Sequence, residues 1–236
     1  MVYTAIVLAA GKGRRMKSDV SKQFMELNGK PVIYYALAAF EKSRVDQIIL
    51  VTGESDIDYC RKEIVEKYGF HKVVGIAAGG RERYDSVWRG LQAAKNSDYI
   101  LIHDGARAFI DQDTIERCMQ DVRESRACVA AVPVKDTIKA VDNCLFGKET
   151  PDRSTLWTIQ TPQVFEQSLI YEAYRKLAQE EISGTVPTVT DDTMVAEYYM
   201  GIPAHMVMGS YYNIKVTTPE DLVLGRAILE SQAGQK

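Results

Sequence analysis

Thr4-Ala5-Ile6-Val7-Leu8-Ala9-Ala10-Gly11-Lys12-Gly13-Arg14-Arg15-Met16 decides the architecture of this chain. The stretch Thr4–Ala10 reads as a strand covered on both faces, the kind found in a mainly parallel sheet. It runs straight into a loop with glycines at alternate positions and several basic side chains, followed by Lys22. Glycines let main-chain N–H groups approach a phosphate closely, and the carboxyl edge of a parallel sheet is where α/β folds bind ligands. Two familiar phosphate loops fail here on spacing. The dinucleotide fingerprint needs a small residue where Met16 stands, and the P-loop's terminal Gly-Lys-Ser/Thr is absent. A triphosphate grip by backbone plus Arg and Lys fits the stretch; its rival is a surface loop with solvated charges.

Outward from this stretch, short apolar runs alternate with helical patterns. Gln47–Thr52, Lys72–Ala77, Tyr99–His103 and Cys128–Val134 read as strands; Val32–Lys42, Asp56–Tyr68, Tyr84–Lys95 and Asp113–Arg126 read as helices. The economical solution is an α/β, Rossmann-like domain: a mostly parallel sheet with helices on both faces. Asn28-Gly29 reads as a tight turn, and Pro31 suits the first position of the next helix. The rhythm breaks after Pro133. Residues 135–160 alternate and carry Gly147 and Pro151, which suggests a β-hairpin arm projecting from the domain. A helix is expected over Glu166–Glu181, and another from Thr190-Asp191-Asp192 to Met200, stopped by Gly201. Strand-like Ala204–Val207 and Ile214–Thr217 precede a final helix opened by Thr218-Pro219-Glu220-Asp221. No repeat or long linker divides the chain, so residues 1–236 are expected to form a single domain with 135–160 as its arm.

Composition narrows the partners. With 29 Lys+Arg against 32 Asp+Glu, a net charge of −3 argues against nucleic acid while allowing a local basic patch for a phosphorylated small molecule. No apolar run approaches the roughly 18 residues of a membrane span. The positive charges follow the N-terminal apolar run, which is the wrong order for a signal peptide. Cys60, Cys118, Cys128 and Cys144 form no C-x-x-C pair, and His71, His103 and His205 lie far apart, so neither a zinc site nor a disulfide framework is expected. The chain reads as a soluble, cytoplasmic protein.

Two further strand ends carry chemistry. Gly79-Gly80-Arg81-Glu82-Arg83-Tyr84-Asp85-Ser86 can receive a base or ribose by main-chain contacts, although a plain charged helix start explains it nearly as well. His103-Asp104-Gly105-Ala106-Arg107 places a carboxylate on the same edge as the first loop. Asp104 there suits Mg²⁺ carried on a nucleotide, because Mg²⁺ prefers one or two carboxylates plus phosphate oxygens and water. The rival is an aspartate capping the next turn. Arg107 could bind an anion beside it, and His103 reads as a supporting histidine rather than a base.

Read together, these motifs identify a resemblance over essentially the whole chain. L-A-A-G-x-G-x-R-M with a downstream lysine, G-G-x-x-R-x-x-S, H-D-x-A-R, V-K-D-T, D-R-x-x-L-W-x-x-Q-T-P-Q, T-D-D and N-I-K-V-T-x-P-E-D-L resemble the 2-C-methyl-D-erythritol 4-phosphate cytidylyltransferases of non-mevalonate isoprenoid synthesis. The first motif alone indicates only a sugar-nucleotide pyrophosphorylase type of fold; the arm and the last motif make the resemblance specific. It implies that CTP is held by Ala9, Ala10, Gly11, Gly13, Arg15 and Lys22, with Gly80, Ser86, Asp104 and Gly105 completing the nucleotide side. Arg107, Thr161, Thr190 and Lys215, with Asp104, would line the pocket of the sugar-alcohol phosphate. The arm would cross to a second copy in a homodimer and bring Thr137 and Arg153 to the neighbour's site. Arg15, Lys22, Arg153 and Lys215 would carry the catalytic charge, with Mg²⁺ or another divalent cation at Asp104. Arg81 departs from a usually acidic place, and Asp192 stands where glutamate is frequent. The rivals are a cytidylyltransferase acting on ribitol 5-phosphate or another alditol phosphate, and a silent nucleotide-binding regulator.

Overall fold

A computed structural model of the chain describes residues 1–11, 16, 20–183 and 188–233. β1 (Tyr3–Ala9) leads through the loop to a hairpin of β2 (Glu26–Leu27) and β3 (Lys30–Pro31), then α1 (Val32–Lys42) and β4 (Gln47–Thr52). The hairpin turns at Asn28 and Gly29, whose φ values of 48° and 77° match a type I′ turn. Pro31 stands one place earlier than expected, capping α1 in extended backbone rather than opening its first turn. The expected helix over Asp56–Tyr68 splits: α2 (Ile57–Tyr59) continues as a π-helical turn over Cys60–Glu66. β5 (Val73–Ala78), α3 (Arg83–Ala93), β6 (Tyr99–Asp104), α4 (Gln112–Ser125) and β7 (Ala127–Pro133) complete the alternating half.

The arm follows, holding a small hairpin of β8 (Ala140–Val141) and β9 (Gly147–Glu149). It ends sooner than the expected 135–160. β10 (Trp157–Glu166) pairs Trp157 with Pro133 and Ile159 with Ala131, so 157–160 belong to the main sheet. Then come α5 (Gln167–Ser183), α6 (Asp192–Met200), β11 (His205–Met208) and α7 (Pro219–Ala233). The expected strand at Ile214–Thr217 is irregular. Val216 makes one main-chain bond to Ala106, just past the end of β6, where there is no ladder to join.

The seven-stranded sheet runs β11-β7-β10-β6-β1-β4-β5. Every pairing is parallel except those of β10, which lies antiparallel to both β6 and β7. Strand alternation explains the two cores. Ala5, Val7, Leu50 and Leu101 face one layer, under α1 and α4; Ile6, Val51, Ile100 and Ile102 face the other, under α3, α5 and α6. A third cluster of Leu27, Val32, Phe109, Val216 and Ile228 seats α7 on the β2–β3 hairpin. Each fully buried aliphatic side chain contributes about 1.5–3 kcal/mol. Helix ends are fixed by local chemistry: Asp191 accepts from Met194 N (2.9 Å) at the start of α6, and Gly201, at φ 67°, ends it. At the start of α7, Asp221 accepts from the amides of Thr217 and Thr218, both at 2.8 Å.

Candidate active site

The parallel strands β1, β4, β5 and β6 end on one edge, and two clefts open there. The first, of about 210 Å³, is lined by Ala9, Ala10, Gly11, Lys22, Gly80 and Ser86 among others. Through Ala10 and Gly80 it adjoins a shallower space of about 570 Å³ beside Gly53 and Ser55. The second, of about 320 Å³, is lined by Arg107, Gln160, Thr161, Gln163, Thr190 and Asp191. Arg83, Asp104 and Lys215 line both clefts. Of the residues expected to hold the nucleotide, Gly13 and Arg15 lie outside the described residues.

The first cleft is made of residues small enough to let strand ends close up. A Cβ on Gly79 would collide with Ala10 Cβ and stand 2.9 Å from Ser86 Oγ. Among the described residues nothing lies within 4 Å of a Cβ built on Gly11, so that glycine leaves open space. Gln23 donates to Ala9 O at 2.5 Å, which ties the turn carrying Lys22 back to β1. Ser86 Oγ accepts from Gly80 N (3.1 Å) and lies 3.2 Å from Glu82 O, so it already braces the glycine turn. The helix-start reading of this segment has its counterpart, because Glu82 and Asp85 form a capping box, while Gly80 and Ser86 also line the first cleft. Gly105 does not line either cleft. It lies beneath the end of β1, donating to Leu8 O at 2.8 Å, where a Cβ would meet that same oxygen at 2.9 Å.

Asp104 is the electrostatic centre. Lys215 Nζ lies 2.7 Å from its Oδ2, Arg83 Nε 3.4 Å from Oδ1 and Arg107 Nε 3.9 Å from Oδ2. Burial works to raise its pKa, but Arg83, Lys215 and Arg107 outweigh it and hold the carboxyl well below the usual range. Asp104 therefore stays ionised. Beneath it, Thr161 Oγ1 accepts the Asp104 amide (3.1 Å) and bonds His103 Nδ1 (2.9 Å). His103 Nε2 lies 3.1 Å from Arg107 O; since a carbonyl can only accept, Nε2 carries the proton and Thr161 donates to Nδ1. Burial lowers the His103 pKa to about 4, so the ring is a neutral support and not a base at physiological pH. Thr161, expected to touch substrate, has its hydroxyl engaged in this chain.

Arg107 donates to Asn213 O (2.7 Å) and Ile159 O (3.4 Å), which fixes it as a wall of the second cleft. Its Nε is buried without a hydrogen-bond partner, 3.9 Å from Asp104 Oδ2. Thr190 is exposed at the cleft rim. Thr137 and Arg153 are not brought to either cleft of their own chain. Both are exposed on the arm, where Arg153 donates to Lys135 O at 2.8 Å.

Sequence reasoning missed several residues that build the second cleft. Between the pairs Ile159–Ala131 and Gln163–Val129, β10 carries three residues against one on β7, and this bulge re-aims Thr161 and Gln163 toward the site. Gln163 Oε1 accepts from Asp192 N (2.8 Å) and Thr193 N (3.0 Å), docking α6 on the sheet. Arg83 makes a two-pronged bond to Asp192, both contacts at 2.7 Å. A signal existed: an arginine opening a helix opposes the helix dipole and so calls for a partner elsewhere. As a cation site, the cluster offers one carboxylate. Among the described residues no group of three or more His, Cys, Asp or Glu could hold a metal. One carboxylate fits a cation arriving with a triphosphate, not a cage made of protein alone.

A parallel sheet whose carboxyl edge joins a glycine loop, a shared carboxylate and basic side chains over two adjoining clefts defines an α/β nucleotidyltransferase. The family model for 2-C-methyl-D-erythritol 4-phosphate cytidylyltransferase matches residues 3–231, and the chain belongs to that family. It is 50% identical over 226 residues to the protein of that name from Lachnoclostridium phytofermentans, covering 96% of this chain and 95% of the relative. It is 51% identical to the one from Lachnospira eligens, covering 96% and 99%. The crystal structure of 4-diphosphocytidyl-2C-methyl-D-erythritol synthase from Anaerococcus prevotii superposes with a TM-score of 0.83 at 32% identity, covering 97% of this chain and 96% of that one. Among the described residues no helix is long and apolar enough to cross a membrane.

Proposed function

We propose that this chain transfers the cytidylyl group of CTP to 2-C-methyl-D-erythritol 4-phosphate, giving 4-diphosphocytidyl-2-C-methyl-D-erythritol and pyrophosphate. The observation that carries this reading is the meeting of two clefts over Asp104, Lys215 and Arg83. CTP occupies the glycine-lined cleft and the acceptor phosphate the second. A phosphate monoester is mostly dianionic at neutral pH. Its oxygen attacks the α-phosphorus, a new P–O bond forms, and the α–β bridge breaks with its electron pair leaving on pyrophosphate. No general base is required, in keeping with a His103 held neutral and inside.

The barrier is charge repulsion, and the site is arranged to lower it. Lys22 and Arg15 screen the triphosphate. Lys215 borders both clefts and pairs with Asp104, so an arriving phosphate competes with Asp104 for its ammonium. Arg107 adds positive charge to the wall of the acceptor cleft. A divalent cation such as Mg²⁺, held by Asp104 together with phosphate oxygens, would neutralise charge on the nucleotide.

The arm supports a homodimer. Its hairpin leaves Val141, Leu145 and Phe146 exposed, and a lone two-stranded hairpin is marginal in water, so a second subunit is the natural cover. In that pairing residues 1–236 act as one domain per subunit, Thr137 and Arg153 complete the neighbour's acceptor cleft, and the enzyme works in the cytoplasm, where CTP is supplied. Pyrophosphate release from CTP tests the reading with methylerythritol phosphate, ribitol 5-phosphate and no acceptor. Release with methylerythritol phosphate alone is expected; preferred use of ribitol 5-phosphate would overturn it.

A further inference from the structure

We propose that Arg83 is a positioning residue that locks the acceptor cleft to the nucleotide cleft through Asp192 and Tyr174. The inference rests on the cytidylyl-transfer reading but names residues that reading leaves without a role. Arg83 opens α3 directly after Gly80, Arg81 and Glu82, which line the nucleotide cleft. Its guanidinium crosses to Asp192, the first residue of α6, two places beyond Thr190 at the rim of the acceptor cleft. Its Nε points at Asp104, which lies between the two. One side chain thus touches the start of α3, the end of β6 and the start of α6.

Local forces do not account for an arginine there. A cation in the first turn opposes the α3 dipole, so the gain has to come from the tertiary pair. Asp192 is fully buried, and Arg83 is the cation paired with it. Tyr174, also buried, donates its hydroxyl to Asp192 Oδ1 at 2.5 Å. Gln163 accepts the Asp192 main-chain amide, so both the chain and the side chain at 192 are held. A two-pronged arginine–carboxylate pair fixes orientation as well as distance. A displacement of the glycine turn is passed through Arg83 to Asp192 and so to Thr190 and Asp191.

Arg83→Lys keeps the charge and removes the fork; Tyr174→Phe keeps the buried shape and removes one bond to Asp192. Turnover, and the binding of methylerythritol phosphate and CTP by calorimetry, are measured for the wild-type chain and both variants, with thermal midpoints alongside. In Arg83→Lys the acceptor KM is expected to rise about tenfold and kcat to fall about thirtyfold, with CTP affinity changed by less than about threefold. Tyr174→Phe should move the acceptor KM in the same direction by about threefold. A purely structural pin would lower the midpoint and leave KM and kcat of the folded protein unchanged, and that result overturns the proposal. If Arg83→Lys does not fold, Tyr174→Phe decides. A wild-type chain that releases no pyrophosphate fails the reaction assignment, whereas unaltered acceptor binding in the variants fails the role of Arg83.

Discussion

A single methyl group at position 79 should cost this enzyme its nucleotide affinity. Gly79 ends the run from β5, donating to Thr52 O at 2.7 Å, with the first loop on one side and α3 on the other. A Cβ there stands 2.9 Å from Ser86 Oγ and 3.4 Å from Thr52 O, and collides outright with Ala10 Cβ. Ordinary carbon contacts lie at about 3.5–4.0 Å, so Ala10 has to retreat by roughly 1 Å. Ala10 has no flexible side chain to fold away; the main chain of the loop moves. Overpacking of this kind costs about 1–3 kcal/mol, or roughly 2–4 °C of Tm per kcal/mol at this chain size. The functional loss should be larger, because misplacing a binding element by about 1 Å can cost on the order of 10² in rate. Gly53→Ala is the matched control, since the nearest atoms to its Cβ belong to the movable carboxylate of Asp56, at 2.8 Å, and the Ser55 side chain. In a pyrophosphate-release assay with CTP varied, Gly79→Ala should lose about 10²-fold in kcat/KM for CTP and Gly53→Ala less than about threefold. A Gly79→Ala enzyme with wild-type kinetics would refute the close packing of Ala10 and Ser86 about Gly79 as a support of the nucleotide cleft.

Three further variants probe other parts of the site. Gly11→Ala meets no described protein atom within 4 Å, so its Tm should stay unchanged while CTP affinity falls, by calorimetry, about tenfold from steric contact with the ligand. Lys215→Ala should reduce kcat by on the order of 10²–10³, yet cost only about 1 kcal/mol in a denaturant titration, because Asp104 keeps Arg83 and Arg107 and the lysine is partly solvated. Replacing Leu145 and Phe146 by serine tests the proposed homodimer: the light-scattering mass should shift from dimer to monomer and turnover should fall.

The alternating half of the fold is legible because β1, β4, β6 and β7 are buried on both faces and the helices between them show one apolar side. Val32–Lys42 and Gln47–Thr52 begin and end where the pattern says. β10 escapes the same reading. It carries Thr158, Gln160, Thr161 and Gln163 because part of its length faces the site, and Pro162 inside it reads as a breaker. Its partners β6 and β7 bury it through tertiary contact alone, which periodicity does not register. Among the candidate site residues, Asp104 stands at a recognisable strand end, whereas Lys215 lies in an irregular stretch and is legible only through the N-I-K-V-T-x-P-E-D-L resemblance; the two meet at 2.7 Å. Arg83 and Asp192 lie 109 residues apart, and nothing in either local pattern announces the partner. Their pairing exists only once the sheet brings the starts of α3 and α6 together.

β7, the arm and β10 are one continuous excursion, out along one strand and back along its hydrogen-bonded neighbour. The return leg delivers Thr161 to Asp104, so the ladder joining Trp157 to Pro133 works as a ruler for the acceptor cleft. Sliding β10 by one residue would shift Thr161 about 3.4 Å and turn it to the opposite face. Lengthening or shortening the tip around Asn143 and Cys144 leaves that ruler untouched. A change of length at the tip would therefore leave the acceptor cleft of the same chain in register, as long as the arm's two roots stay in step.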